Sequence, residues 1–370
     1  MADRAVLVVN AGSSSLKLAV LDEGEVVAST TVERWEGAGD VAPIEEFLDG
    51  CGDVAAVGHR VVHGGSRYAE PVAVDDEVVS YLDSITDLAP LHQPRAVAGI
   101  REVSRLLDVP SVACFDTAFH STLPAAARTY ALPRAWNDRW GLRRYGFHGL
   151  SHASGARRAA AMVGRPLESL RVVSCHLGAG ASLTAVRDGR SVDTTMGFTP
   201  LAGLVMQTRS GSVDPGLLTW LLQHGGVGVA ELNEALEHES GLRGLSGTSG
   251  DIREVLDGRA RGDADCALAF DVYVHTLVSE IGAMAASAGG LDLLVLTGGV
   301  GEHAPDVRAA AADRLAHLGV ALDADANAAA TGDADLTAPG APVATVVVTA
   351  DEAAEVARLT REVLGAIAAG

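Results

Sequence analysis

The sequence predicts an α/β protein built from two duplicated lobes with a cleft between them. Three observations lead to this prediction. A chain of 370 residues is too long for one ordinary hydrophobic core. Short apolar segments alternate with segments of helical character, and one layout of strand, glycine-rich turn and strand occurs twice. Two related lobes explain all three features.

The repeated layout consists of a β-branched apolar strand, a turn of small residues, a second strand and a third short strand. In the first copy these parts are residues 6–10, 11–15, 16–21 and 26–31. In the second copy they are residues 172–176, 177–181, 182–186 and 191–195. An internal repeat of this kind predicts two structurally similar units.

The segments outside the repeat supply helices and further strands. Helices are predicted at residues 94–107, 151–162, 215–224 and 264–288, and a last one is predicted from Asp351. The sequence LDLLVLTGG reads as a buried strand that ends in a glycine turn, and residues 343–348 form another strand. Residues 323–342, rich in Ala, Asp, Gly and Pro, are predicted to be a surface connection.

Composition excludes several classes of protein. A formal net charge of −20 argues against a nucleic-acid or anionic-membrane surface, because phosphate groups are bound mainly by clustered cations. No uninterrupted apolar run reaches the roughly 20 residues that a membrane span needs. The four cysteines form no CxxC pair, so neither disulfides nor a structural zinc site are expected. These features predict a cytoplasmic protein.

Residues 10–17 combine small residues, three serine hydroxyls and a terminal cation, which together suit a polyphosphate. Lys17 is the only lysine in the chain. The segment is not a Walker loop, since GxxxxGK[ST] is absent, and an ordinary Ser-rich hairpin turn is the alternative interpretation. Two further small-residue turns, at 178–182 and 298–301, favour a nucleotide held between lobes.

Charged and aromatic motifs supply the candidate chemical groups. Arg60 in GHRVVHGG and Arg209 in TRSG suit bidentate contact with a carboxylate or phosphate. Asp116 follows an apolar strand, where a carboxylate either caps a turn or faces a metal. His148 lies in the cationic segment RRYGFHGLSH, and Asp251 in SGDIR is equally typical of a helix cap.

Nine ordered motifs resemble the acetate kinase family over nearly the whole chain. They are NAGSSSLK, GHRVVHGG, PLHQP, FDTAFH, YGFHGLSH, HLGAGAS, FTPLAGLVMQTRSGSVDPG, SGDIR and GGVGEH. The resemblance implies two ribonuclease H-like lobes of the acetate and sugar kinase, Hsp70 and actin superfamily. It implies that residues 1–118 and 354–370 form the N-terminal lobe and residues 119–353 the C-terminal, nucleotide-binding lobe.

The resemblance also implies a role for each matching residue. Ser13, Ser15 and Lys17 contact the phosphates, while Asn10 and Glu352 help to hold Mg²⁺ or Mn²⁺. Asp116 is the catalytic carboxylate, Arg60 and Arg209 hold the acid and the transferring phosphoryl group, and His148 stabilises that group. The methyl pocket is formed by Val62, Leu91, Phe147 and Pro200. The nucleotide contacts are His176, Leu177, Gly178, Ala179, Gly180, Asp251, Ile252, Arg253, Gly299, Val300, Gly301, Glu302 and His303.

The implied activity is reversible, ATP-dependent phosphorylation of acetate to acetyl phosphate, in a homodimer. Because a carboxylate is already ionised near neutral pH, Asp116 is expected to orient groups rather than to abstract a proton. Ala179 and His303 replace the usual asparagines, which bears on nucleotide preference. Propionate or butyrate kinase activity is an alternative, since one methylene shifts discrimination by only ~1–3 kcal/mol. A further alternative is an ATP-driven conformational switch of the Hsp70 or actin kind.

Overall fold

The computed structural model describes residues 5–12, 15–90 and 92–369. The chain divides into two compact units. The described parts of residues 1–121, 147–154 and 351–370 form the first unit, and residues 122–146 and 155–350 form the second. Segment 147–154, which the sequence-based boundaries assigned to the second lobe, thus belongs to the first. The backbone explains this assignment, since Gly149 N donates to Asp116 O at 2.9 Å.

The strands of the described chain are β1 (Val6–Ala11), β2 (Ser15–Asp22), β3 (Glu25–Glu33), β4 (Ala56–Val61), β5 (Val72–Ala73), β6 (Ser111–Phe115), β7 (Val172–Leu177), β8 (Ala181–Arg187), β9 (Arg190–Thr194), β10 (Leu293–Thr297), β11 (Ala334–Asp335) and β12 (Ala344–Val347). The helices are α1 (Ala42–Asp49), α2 (Asp76–Ser84), α3 (Gln93–Leu106), α4 (Ala125–Arg128), α5 (Arg134–Trp140), α6 (Gly149–Met162), α7 (Pro215–His224), α8 (Val229–Glu234), α9 (Gly241–Ser246), α10 (Ile252–Ala260), α11 (Ala264–Ala288), α12 (Gly298–His303), α13 (Pro305–Arg314), α14 (Ala324–Ala329) and α15 (Glu352–Ala369). Short 3₁₀ turns occur at Thr86–Leu88, Ala118–Thr122, Leu167–Ser169 and Ala316–Leu318, and a π turn at Ala235–Glu239.

Each unit contains one six-stranded sheet, and the two sheets have the same topology. The strand order is β3-β2-β1-β4-β6-β5 in the first unit and β9-β8-β7-β10-β12-β11 in the second. In both sheets the three central strands are parallel and the outer strands pair antiparallel. The repeat predicted from the sequence is therefore confirmed, as is the α/β fold of two duplicated lobes.

Helices cover both faces of the first sheet, which explains why its central strands are apolar on both sides. Residues from β1, β2 and β4 pack with Trp35 and Ala98 in one core cluster, and the other face packs against α15. The approach of α15 is very close at Gly58. A Cβ added there would lie 2.4 Å from Thr360 Oγ1 and 2.6 Å from Val356 Cγ1. The closing helix thus packs on the first sheet.

Helix α11 is the core helix of the second unit. Among the described residues it is the one helix long and apolar enough to cross a membrane by length and composition. Its buried positions recur at helical spacing from Cys266 through Tyr273 and Leu277 to Ala288. This face packs on β7, β8 and β9, which accounts for the apolar composition.

Other boundaries depart from the predictions. Helix α6 begins at Gly149, so Ser151 lies inside the helix rather than at its cap. Residues 323–342 are not wholly irregular. The Asp323 side chain accepts from Ala326 N and starts α14, and β11 pairs with β12. A capping side chain and one strand partner therefore order a segment whose composition favours a connection.

Candidate active site

The parallel strands of the first sheet bring three predicted residues to one edge. Asn10 lies near the end of β1 and is in register with Arg60 near the end of β4. Asp116 directly follows β6, which pairs with β4. Because the carboxyl ends of parallel strands meet at the same edge, the three side chains converge there. Glu352, the first residue of α15, joins them from the other end of the chain.

Arg60 is the centre of this cluster. Its Nε and NH2 groups donate to the two carboxylate oxygens of Asp116 at 3.2 and 2.6 Å, and NH1 donates to Asn10 Oδ1 at 3.1 Å. Glu352 Oε2 lies 3.2 Å from Arg60 Nε. The fork geometry fixes the plane of the guanidinium before any substrate arrives. The bidentate contact with Asp116 therefore holds the Arg60 guanidinium in one orientation.

Burial and charge perturb both members of this pair. The Asp116 side chain is 1% exposed and that of Arg60 is 15% exposed. Burial raises the pKa of the Asp116 carboxyl to about 6; the Arg60 charge opposes this shift without cancelling it, and Glu352 adds a smaller contribution in the upward direction. Burial also disfavours the charged form of Arg60, but Asp116 and Glu352 outweigh it and raise the pKa of Arg60 above its usual range. The guanidinium thus stays charged.

Three other predicted residues lie in the first unit. Val62 and Phe147 are buried, as a small apolar pocket requires. His148 is half-buried and has a positive φ of 55°, which is uncommon for a residue with a side chain. Sites of this kind often store backbone strain. Leu91, the fourth predicted member of the methyl pocket, lies outside the described residues.

The N-terminal hairpin carries the predicted phosphate ligands. Gly12 N donates to Ser15 O at 2.8 Å, so the turn between β1 and β2 is tight. Lys17 is exposed on β2 and pairs in register with Asn10. Ser13 lies outside the described residues. The hairpin thus presents the chain's lysine on a strand that adjoins β1 of the Arg60 cluster.

The second unit contains a cavity of about 450 Å³. Eight of the predicted nucleotide contacts line it: Gly178, Ala179, Asp251, Ile252, Arg253, Gly299, Val300 and His303. The glycines come from the turn after β7 and from α12, which follows β10, so two adjacent strand ends form one wall. Gly301 is buried, and Glu302 Oε1 accepts from Ala350 N at 2.9 Å. His176, Leu177 and Gly180 belong to β7 and its turn.

Asp251 has the capping role that the sequence left open, and it lines the cavity as well. Its side chain accepts from Arg253 N and begins α10. The Arg253 guanidinium donates to both Asp251 oxygens, at 2.9 and 2.6 Å. These hydrogen bonds lower the pKa of Asp251 to about 2. The cavity rim therefore carries a fixed ion pair.

Arg209 and Pro200 lie together in the second unit. Arg209 NH1 donates to Pro200 O at 3.3 Å, and Nε lies 3.3 Å from Glu237 Oε2. Burial lowers the pKa of Arg209, and Glu237 opposes that shift. The sequence did not predict Glu237 as the partner of Arg209. Glu237 lies in the π turn at Ala235–Glu239 and reaches Arg209 across a loop.

Sequence reasoning missed part of the cavity wall. Gln207 and Tyr273 line it without having been predicted. Gln207 lies inside the quoted motif MQTRSG, so its place beside Arg209 was an available signal. Tyr273 could not be predicted as a cavity residue, because the sequence pattern of an aromatic residue in the apolar helix α11 is the same as that of a residue in the hydrophobic core.

Comparison with known proteins agrees with this architecture. A crystal structure of acetate kinase from Porphyromonas gingivalis has a TM-score of 0.91 at 34% identity, and covers 98% of this chain and 100% of its own. A propionate kinase from Francisella tularensis has a TM-score of 0.90 at 32% identity, with coverages of 97% and 99%. An acetate kinase from Synechococcus is 46% identical over 94% of this chain and 96% of the relative.

The fold and these structural neighbours define a kinase of the acetate and sugar kinase, Hsp70 and actin superfamily. The acetokinase family profile matches residues 42–358. The chain belongs to the acetokinase family.

Proposed function

We propose that this protein transfers the terminal phosphoryl group of ATP to acetate, giving acetyl phosphate and ADP, and catalyses the reverse reaction. The observation that carries the proposal is the Arg60 cluster. A guanidinium held in a fixed plane by Asp116 and Asn10 is suited to a carboxylate or phosphoryl group. Close relatives named acetate kinase support the choice of acid.

Positioning and charge stabilisation supply most of the rate in phosphoryl transfer. The acid is already ionised near neutral pH, so no base has to activate it. Arg60 offers a preformed positive charge, and Arg209 keeps the cationic role that the family resemblance assigns to it. His148 is assigned the stabilisation of the group in transfer. Asp116 keeps Arg60 oriented and charged, which agrees with a positioning role for this carboxylate.

The side-chain oxygen atoms around Arg60 are also of the type that coordinates a magnesium ion. Asn10 and Glu352 supply oxygen ligands, which Mg²⁺ prefers, and it usually takes one or two carboxylates together with substrate phosphates. The described residues contain no group of three or more His, Cys, Asp or Glu side chains that could hold a metal alone. A bound Mg²⁺ supplies charge neutralisation on the ATP phosphates. We assign its ligands to Asn10 and Glu352.

The nucleoside of ATP is assigned to the cavity of the second unit, and the predicted phosphate contacts remain Ser13, Ser15 and Lys17. The cavity is mainly apolar and of a size that suits a nucleoside. A homodimer and a cytoplasmic location complete the proposal. The four cysteines are free thiols, which supports a reducing compartment.

The decisive experiment measures ADP formation with Mg-ATP and formate, acetate, propionate or butyrate, with hydroxylamine trapping of the acyl phosphate. We expect acetate to give the highest kcat/KM. Propionate as the best acceptor would favour the alternative that the Francisella tularensis relative supports. ATP turnover that no acid stimulates would favour a conformational switch and overturn the proposal. Omitting Mg²⁺ should abolish turnover.

A further inference from the structure

Two hydrogen bonds bracket His148 in the first unit. On the preceding side, the Phe147 carbonyl lies 2.9 Å from His120 Nε2. On the following side, Gly149 N donates to Asp116 O at 2.9 Å. A carbonyl only accepts hydrogen bonds, so His120 carries its proton on Nε2 and donates. The peptide groups on both sides of His148 are therefore fixed.

The bracket explains the unusual backbone of His148. A φ of 55° places this residue in the left-handed region, which is strained for a residue with a Cβ. Such a conformation persists only when surrounding contacts impose it. The hydrogen bonds at Phe147 O and Gly149 N act here together with the one that His148 O accepts from His152 N at 2.9 Å in the first turn of α6.

The partners in both hydrogen bonds come from the short segment after β6. Asp116 supplies its carbonyl, and His120 lies four residues later in the 3₁₀ turn Ala118–Thr122, where its own N–H donates to Thr117 O. Contact at Gly149 is so close that an added Cβ would lie 2.2 Å from Asp116 O. The motifs FDTAFH and YGFHG thus contact each other closely through their backbones. Of the groups in the two hydrogen bonds on either side of His148, only the His120 ring belongs to a side chain.

The environment of His120 suits a fixed neutral donor. The residue is fully buried, and its ring packs edge-on against Phe119 and His152. Burial lowers the pKa of His120 to about 4. The ring is therefore uncharged at neutral pH. Because it does not take up a proton near that pH, its hydrogen bond to Phe147 O stays the same.

We propose that His120 is a positioning residue for the phosphoryl transfer. Its Nε2–H holds the Phe147 carbonyl, which keeps His148 in the left-handed conformation and aims the His148 imidazole at the reacting group. This inference rests on the proposed function, because that function gives His148 its role. Loss of the donor frees the Phe147–His148 peptide to rotate, and His148 then relaxes toward conformations with negative φ.

The test compares three variants. His120→Met removes the donor, whereas His120→Gln keeps a side-chain N–H at similar reach. His59→Met is the matched control, because His59 is a buried histidine of the same unit whose side chain faces away from Arg60 along β4. We expect His120→Met to lower kcat about tenfold or more with KM for ATP within twofold. His120→Gln should recover most of that loss, and His59→Met should stay within twofold of the original kcat.

A double-mutant cycle separates positioning from general damage. If His120 acts through His148, His120→Met lowers kcat in the original chain but adds little in a His148→Gln background. Equal losses in both backgrounds would overturn the inference, as would a Gln variant no better than Met. Because His120→Met can fail to fold, His120→Gln and circular dichroism of each variant keep the comparison valid.

The same assays separate failure of this inference from failure of the proposed function. Absence of acetate-dependent turnover in the unaltered chain sinks the function and the inference together. If the unaltered chain is active and the His148→Gln variant is equally active, His148 has no role in the reaction and the inference fails. If the unaltered chain is active, the His148→Gln variant is impaired and the His120→Met variant has normal activity, only the positioning role of His120 is rejected.

Discussion

Replacing Arg60 by alanine tests the charge balance of the cluster through the pH dependence of folding. In the intact protein the pKa of Asp116 is about 6, so above that pH the carboxylate is ionised in both the folded and the unfolded states. Its contribution to the free energy of unfolding is then constant. Without Arg60 the carboxylate, 1% exposed and beside Glu352, has no cation to compensate it. We expect its pKa to rise well above its value in the intact protein, because burial and Glu352 then act unopposed.

The sign and size of the effect follow from proton linkage. In the Arg60→Ala variant the folded state keeps the Asp116 proton that the unfolded state, with a pKa of about 3.9, has lost. Raising the pH therefore favours unfolding by about 1.36 kcal/mol per unit. Between pH 6 and pH 8 the variant should lose up to about 2.7 kcal/mol of stability, whereas the unaltered protein, in which Asp116 is half protonated at pH 6, loses only about 0.4 kcal/mol, so the two should diverge by about 2 kcal/mol.

Urea unfolding at pH 6, 7 and 8 measures this difference. Trp35 is fully buried in the core of the first unit, whereas Trp136, Trp140 and Trp220 of the second unit are about half exposed or more, so the loss of buried tryptophan fluorescence follows mainly the first unit, with circular dichroism as a second probe. The double variant Arg60→Ala with Asp116→Asn is the control, because it has no carboxylate to protonate. Its stability should follow the pH dependence of the unaltered chain. A stability difference between Arg60→Ala and the unaltered chain that stays constant from pH 6 to pH 8 would refute the reasoning.

Three further predictions follow from other contacts. Burial lowers the pKa of His59 to about 3, and both ring nitrogens lack a partner among the described residues. Stability should therefore fall as the pH drops below about 6.5, where the unfolded chain binds the proton first, and His59→Met should reduce this acid sensitivity in urea titrations. Gly58→Ala should destabilise the first unit by ~3 kcal/mol or more, because Thr360 Oγ1 lies 2.4 Å from the new Cβ; a loss below about 1 kcal/mol contradicts this. Asp251→Ala should cost ~1 kcal/mol through the lost cap of α10 and weaken ATP binding in calorimetry, and unchanged affinity argues against Asp251 as a nucleotide contact.

The predictions from sequence were best where local pattern and chemistry coincide. The continuous apolar run of β1 predicted a buried strand, and five of its six residues are buried in the structure. Helix α7 begins at Pro215 with Asp214 as its cap, as its sequence indicates. Predictions were weaker where a residue serves two purposes. Asp251 is both a helix cap and part of a cavity wall; its local pattern signals only the cap, and the second role was suggested only by the resemblance to the acetate kinase family.

By itself, the sequence determined the duplication, the order of the strands within each copy and the residue types at the strand ends, because these depend on short-range periodicity and turn chemistry. Only the tertiary structure decided which charges meet. Arg60 and Asp116 are 56 positions apart, and Glu352 reaches them only because α15 packs against Gly58 and its strand. The backbone bracket around His148 is likewise a contact between distant motifs. Contacts of this kind depend on how helices close over a sheet, which no local pattern encodes.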